Sequence, residues 1–299
     1  MKLDFVIIGG QKCGSTYVQR VIENHPEVEM IEGECPHFED PDYQNDGLVK
    51  LQQRLALLDQ KKLLGIKRPN YLGKPEVPDR IFKANSDIKV IVILRNPLDR
   101  FKSAYFHQMN YGVGPTLPLN IGAERILSGA IEKEYPRSKE VLQFGLYAEH
   151  LKKYVALFDK NILILTFDEL KNDHLGLIKK CYTFLGVDNV FIPHKILDER
   201  PMKVNYAIRS VKFLNLRNPL RFEYNEDKTR MYPKKRNIVD KAGIKTIELV
   251  NDLIFGKILK KEGKPKFSDE IKSKLLRWYA KDIAQLEILI QKDLSNWKS

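Results

Sequence analysis

With 299 residues, 43% of them apolar and 30% charged, the chain can bury a full core and falls outside the disordered and fibrous classes. Its 51 lysines and arginines against 39 acids leave a formal charge of +12, so anionic partners are expected. Three cysteines (Cys13, Cys35, Cys181) lack metal-ligand spacing and are an odd set for a disulfide framework, and no run of 18 apolar residues predicts a membrane span.

Phe5-Val6-Ile7-Ile8 is a short run rich in β-branched side chains and predicts a strand over 4–8. Gly9-Gly10-Gln11-Lys12-Cys13-Gly14-Ser15-Thr16 follows. From Ser15 the apolar spacing turns helical through Val18, Val21 and Ile22, predicting a helix over 15–25 that ends before Pro26. Strand, glycine-rich turn and helix in that order form a phosphate cradle. Glycine lets the backbone approach a ligand, and the helix start offers amides and a positive dipole end to an anion. The spacing departs from that of a P-loop NTPase, which requires lysine after its last glycine. Ser15 stands there instead, and the basic residue has moved back to Lys12.

Glu32-Gly33-Glu34-Cys35-Pro36-His37-Phe38 brings two carboxylates and a histidine into a polar stretch. Strands are predicted over 63–67, running into Lys67-Arg68-Pro69-Asn70-Tyr71, and over 89–94. The latter leads into Arg95, not into an acidic metal ligand, which disfavours metal-assisted γ-phosphoryl transfer. Ser103 stands eight residues on, in a helix predicted over 97–110. Ligands of doubly wound sheets sit outside the carboxyl ends of the strands, so the first loop and Arg95 can meet one nucleotide, a guanidinium holding a phosphate bidentately.

Residues 110–140, with Gly112, Gly114, Pro115 and Pro118, predict a long loop with a short helix, of a length that commonly shapes a substrate site. Helices are predicted over 146–158, 174–185 and 269–291 and a strand over 161–166; the last helix carries Leu275, Tyr279, Ile283, Leu286 and Ile290 on one stripe. The alternation predicts an α/β fold, a three-layer sandwich with a central parallel sheet and a P-loop-like turn, as a single domain over 1–299. Residues 195–236 hold twelve basic and five acidic side chains. This basic decoration is open to four uses: closing over a nucleotide, holding an acidic glycan, resting against an anionic membrane surface, or remaining a solvated face.

The loop at 9–16 and the pair Arg95 and Ser103 resemble the sulfotransferase superfamily, whose donor is 3′-phosphoadenosine 5′-phosphosulfate (PAPS). So do Gly145-Leu146-Tyr147 before a helix, and the ending Asp282-Ile283-Ala284-Gln285-Leu286-Glu287 with Asp293-Leu294-Ser295-Asn296-Trp297. The 32–38 and 67–71 segments are most similar to its heparan-sulfate and bacterial carbohydrate-type branches. The resemblance implies that Lys12, Gly14, Ser15 and Thr16 grip the 5′-phosphosulfate, that Arg95 and Ser103 bind the 3′-phosphate, and that Tyr147 lies on the nucleotide side. It implies PAPS as co-substrate, 3′-phosphoadenosine 5′-phosphate (PAP) as product, and no metal.

Sulfuryl transfer moves SO₃ from a phosphate to an acceptor atom roughly in line, and so wants a base for the acceptor proton and cations for the leaving oxygen. Glu34 is the expected base with His37 as its neighbour, and Lys12 and Lys67 are the expected cations. Pro36 is an extra residue relative to the family pattern, so the register leaves Glu32 open for the same role. A hydroxyl acceptor, on a carbohydrate, is expected, with a glycolipid, a small alcohol, a polyketide intermediate and an amine left open; oligomeric state is not legible. The rival classes are a P-loop-type kinase and a noncatalytic polyanion-binding module. Nucleic acid is not expected, because no recognition motif accompanies the charge. Entry into a strand without a charged leader, together with the odd thiol count, leads to the expectation of a cytoplasmic enzyme.

Overall fold

The computed structural model describes residues 1–193, 205–259 and 264–299, with 256–259 described as backbone alone. Two compact units emerge, one of Met1–Arg100, Leu146–Met202 and Ala280–Ser299, the other of Phe101–Gly145 and Lys203–Tyr279. Lys195, Arg200 and Lys203 of the basic stretch lie outside the described residues.

The first unit holds five parallel strands: β1 (Phe5–Gly9), β2 (Val28–Met30), β3 (Leu63–Lys67), β4 (Lys89–Leu94) and β5 (Ile162–Thr166), in the order β2-β3-β1-β4-β5. Every residue of β1 is buried, and Val6 pairs with Ile66 of β3 on one side and Val90 of β4 on the other. Continuous apolar strands of this kind suit a parallel sheet covered on both faces. Flanking helices supply the cover, with Ser15–Glu23 packed on His174–Leu185 and Val77–Ala84 on Tyr147–Phe158. From β1 the chain builds β2 and β3 to one side and then crosses to β4 and β5 on the other. The reversal falls at β1, and in sheets of this kind ligands sit outside the carboxyl ends of the strands at such a point, here those of β1, β3 and β4.

The four predicted strands and five predicted helices form within two residues of their expected bounds. Among the described residues of this unit, β2 and helices Gly47–Ala56, Val77–Ala84 and Phe167–Asn172 lie beyond the expectations. β2 has three residues, too few to show a period, and helix Gly47–Ala56 buries only Leu51 and Leu55 as apolar anchors. Helix Val77–Ala84 is equally sparse, with Val77 and Ile81 its buried anchors besides Pro78. Two caps fix the chain beyond β5: Thr166 and Glu169 exchange hydrogen bonds across the start of helix Phe167–Asn172, and Asp173 accepts from the Gly176 amide at 2.8 Å.

The second unit is built from helices Leu119–Leu127, Ser138–Gln143, Ile208–Leu214 and Ile238–Leu259 and a hairpin pairing Phe222–Tyr224 with Met231–Pro233. Within 110–140 the expected short helix is Leu119–Leu127. The stretch is pinned where the Tyr105 hydroxyl donates to the Leu117 carbonyl at 2.7 Å, and a Cβ at Gly122 would stand 2.1 Å from that hydroxyl. Helices Pro97–Asn110 and Asp269–Ile290 contribute to both units. On the latter, Leu275, Tyr279, Ile283 and Leu286 are buried as the stripe predicts, whereas Ile290, the last helical residue, is half-buried. Among the described residues no helix is long and apolar enough to cross a membrane.

Candidate active site

The loop after β1 begins where the backbone has no room for a side chain. Gly9 has φ +134°, and a Cβ there would lie 2.4 Å from the Pro69 carbonyl oxygen. The Gly10 amide donates to Ile93 of β4 at 2.6 Å, and the Cys13 amide closes the turn onto Gly10 at 3.1 Å. Gly14 caps helix Ser15–Glu23 with φ +104° and offers no side-chain cap, so the first-turn amides at Ser15 and Thr16 have no intrahelical acceptor and are oriented for an anion. Ser15 is buried, and the Thr16 hydroxyl accepts from Lys67 Nζ at 3.2 Å. That bond ties the first helix turn to the end of β3.

At the end of β4, Arg95 Nη1 donates to the Lys12 carbonyl at 3.3 Å, Nη2 stands 3.8 Å from Asp99, and the guanidinium lies 4.8 Å over the Phe167 ring. Both polar ties are long, and Arg95 Nε has no acceptor among the described residues. A guanidinium with five donors so lightly used is fit to take a phosphate. Phe167, the first residue past β5, also walls the loop, since a Cβ at Gly14 would meet its ring at 3.1 Å. Tyr147 is fully buried beneath this corner. Its hydroxyl donates to the Arg95 carbonyl at 2.8 Å and lies 3.4 Å from Cys13 Sγ. Tyr147, expected on the nucleotide side, has no exposed surface, and its hydroxyl braces the loop against the strand.

The charge of Glu34 acts on both Lys12 and Lys67. Burial, then Arg95, holds the Lys12 ammonium below its ordinary pKa against the pull of Glu34 and Cys13. Burial likewise lowers Lys67, which is 5% exposed, and Glu34 heads the opposing charges. Glu34 itself is held from below by Arg68, whose Nη1 donates to Glu34 Oε2 at 2.8 Å while its Nε is bound to the buried carboxylate of Glu39. Burial opposes the Arg68 charge but is outweighed by Glu39, with Glu34 adding, so the guanidinium stays charged. The Arg68 amide is bonded to Ile7 of β1 at 3.0 Å and the Cys35 amide to the Lys67 carbonyl at 3.0 Å. The backbone that carries the carboxylate is thus tied to the end of β3, which carries Lys67 and Arg68.

The structure brings together Lys12, Gly14, Ser15, Thr16, Glu34, Lys67 and Arg95 within the first unit, at the carboxyl ends of β1, β3 and β4. It turns His37 elsewhere. That imidazole is 9% exposed, with Nε2 3.4 Å from Arg54 Nη1, and burial followed by the Arg54 charge lowers its pKa. His37, expected as the neighbour of the base, packs here against Arg54 of helix Gly47–Ala56. Glu32 offers its carbonyl to Arg54 Nη2 at 3.0 Å and its charge is felt at Glu23, whereas the charge of Glu34 is felt at both lysines. Ser103 is buried on helix Pro97–Asn110 in the second unit. Sequence reasoning quotes Arg68 only as part of a motif and passes over Phe167. The buried acid that pins Arg68 is 29 residues away, and nothing in the spacing of Phe167 points at the first loop.

A sulfotransferase domain family model matches residues 2–286. Heparan sulfate glucosamine 3-O-sulfotransferase 3A1 of Mus musculus is 27% identical over 188 residues, 62% of this chain and 46% of that protein. Heparan sulfate glucosamine 3-O-sulfotransferase 6 of Homo sapiens is 28% identical over 187 residues, 62% of this chain and 52% of the relative. The chain thus spans about half the length of the curated relatives it matches. Among solved structures, a sulfotransferase from Alicyclobacillus acidocaldarius superposes over 100% of both chains with a TM-score of 0.68 at 20% identity, a likeness of fold.

Proposed function

Because this chain belongs to the sulfotransferase domain family, we propose that it transfers the sulfuryl group of PAPS to a hydroxyl, one carried by a carbohydrate. The observation that supports this most is the Arg95 guanidinium bonded to the Lys12 carbonyl, which sets an anion-seeking loop and a lightly engaged arginine in one crevice. A donor with phosphoryl groups at both ends of its ribose needs both. The amides at Gly14, Ser15 and Thr16 with Lys12 hold the 5′ end, and Arg95 holds the 3′-phosphate. Ser103 retains, on the sequence resemblance alone, its expected part at that phosphate.

In the step itself, the Oε1 atom of Glu34 takes the proton of the acceptor hydroxyl as the acceptor oxygen bonds to sulfur. The bond from sulfur to the bridging oxygen breaks, and Lys12 and Lys67 meet the charge that grows on that oxygen. The products are PAP, a sulfate ester and a protonated Glu34. The lysines supply the positive charge, so the reading needs no metal. A carbohydrate acceptor rests on the relatives that are named for a heparan sulfate glucosamine, and a cytoplasmic setting on three cysteines that are buried free thiols.

Calorimetry with PAP, AMP and ATP, followed by ³⁵S-labelled PAPS offered with desulfated heparan sulfate, tests the proposal. PAP should bind more tightly than either other nucleotide without added Mg²⁺. Glu34→Gln should keep that affinity and lower turnover by roughly two to four orders of magnitude. Equal affinity for PAP and AMP would remove the proposed role of the crevice.

A further inference from the structure

Resting on the sulfuryl-transfer reading, we infer that Arg68 is a positioning residue: held by buried Glu39, it keeps the Glu34 carboxylate from collapsing onto Lys12 or Lys67 and turns Oε1 toward the acceptor. The difficulty it solves is electrostatic. A base placed among two ammonium groups has a low-energy alternative, an ion pair with one of them. Such a pair would block the carboxylate and at the same time neutralise a cation required by the leaving oxygen. Glu34 is open to this collapse because its side chain is 44% exposed and its charge reaches both lysines.

Arg68 competes for the same carboxylate from the opposite side. Its fork makes two different bonds, Nε to Glu39 and Nη1 to Glu34 Oε2 at 2.8 Å, so one oxygen of the base is committed while Oε1 has no partner among the described residues. Glu39 is 3% exposed, and Arg68 is anchored by backbone as well, its amide on Ile7 and the Tyr71 amide on its carbonyl at 3.1 Å. A free surface arginine would lose entropy in holding one geometry. This one is already immobilised, so it imposes its direction on the more mobile partner. Lysine cannot do the same, since a single ammonium on a flexible stem lacks the planar fork that spans two carboxylates.

The test compares Arg68→Ala, Arg68→Lys and Glu39→Gln with the unsubstituted chain, each also in a Glu34→Gln background. PAP affinity by calorimetry should stay within about twofold in all of them, while conversion of PAPS to PAP, with desulfated heparan sulfate or water as acceptor, should fall by about 10- to 100-fold in Arg68→Ala. Arg68→Lys and Glu39→Gln should lie between. Guanidinium ion added to Arg68→Ala should restore part of the loss, and in Glu34→Gln the Arg68→Ala change should cost nothing further. A crystal structure of Arg68→Ala provides a readout independent of any acceptor: the Glu34 carboxylate should sit on Lys12 or Lys67. A carboxylate still in its present place, or losses that simply add to those of Glu34→Gln, would overturn the inference. Failure of the unsubstituted chain to bind PAP would instead count against the transfer reading.

Discussion

Replacing Arg95 with alanine separates the two phosphates of the proposed product. A hydrogen bond to a charged group contributes about 1.5–3 kcal/mol, and one guanidinium presents two such bonds to a phosphate. To make them, Arg95 gives up a 3.3 Å bond to the Lys12 carbonyl and a 3.8 Å approach to Asp99, whose side chain is 47% exposed. An ion pair that open is worth about 0–1 kcal/mol, so the net contribution to the 3′-phosphate is about 2–4 kcal/mol. At about 1.4 kcal/mol per decade, PAP should bind roughly 30- to 1,000-fold more weakly to Arg95→Ala. AMP has no 3′-phosphate, and its affinity should change by less than about threefold. The substitution also removes the stacking on Phe167, worth about 1 kcal/mol, so thermal unfolding of the unliganded variant should show a small loss and an intact fold. Titration calorimetry with both nucleotides gives the ratio directly. Equal weakening of PAP and AMP would refute the assignment of Arg95 to the remote phosphate.

Three other outcomes are expected. Because burial lowers the pKa of both Lys12 and Lys67, their protonated forms are lost as pH rises through values below 10.5, so kcat/KM should decline on the alkaline side before an ordinary lysine would titrate; Lys67→Arg should move that limb upward, and a profile flat to pH 10.5 would contradict the role of the ammonium groups. His37 has a folded pKa below its ordinary 6.5, so the unfolded chain binds the extra proton and stability is lost as pH falls through and below that value; His37→Gln should flatten this acid loss in urea titrations while leaving PAP affinity unchanged. Gly9→Ala must place a Cβ 2.4 Å from a carbonyl oxygen at a φ of +134°, and should destabilise the fold by at least about 2 kcal/mol in urea titrations, an unaltered midpoint being incompatible with the described loop.

The sequence by itself determined whatever is local. The apolar runs at Phe5–Gly9 and Lys89–Leu94 and the stripe from Leu275 to Leu286 have the period of the elements they form, because burial of one face is written into residue spacing. The phosphate-binding character proposed for the Gly9–Thr16 turn is local too, since it depends on glycine backbone and a helix start. Short elements with few anchors, β2 and helix Gly47–Ala56, carry too little pattern to be seen in this way. Only the tertiary structure decided which polar side chains serve the crevice. Glu34 and His37 are three residues apart and the sequence suggests both for one site, yet the carboxylate charge acts on two lysines while the imidazole packs against Arg54. Tyr147 comes to lie under the Arg95 carbonyl, Phe167 against Gly14, and Arg68 between Glu39 and Glu34. Those meetings follow from strand order: β1 lies between β3 and β4, with β2 beside β3 and β5 beside β4, so residues 29 or more positions apart end at one edge of the sheet, a distance that no local spacing records.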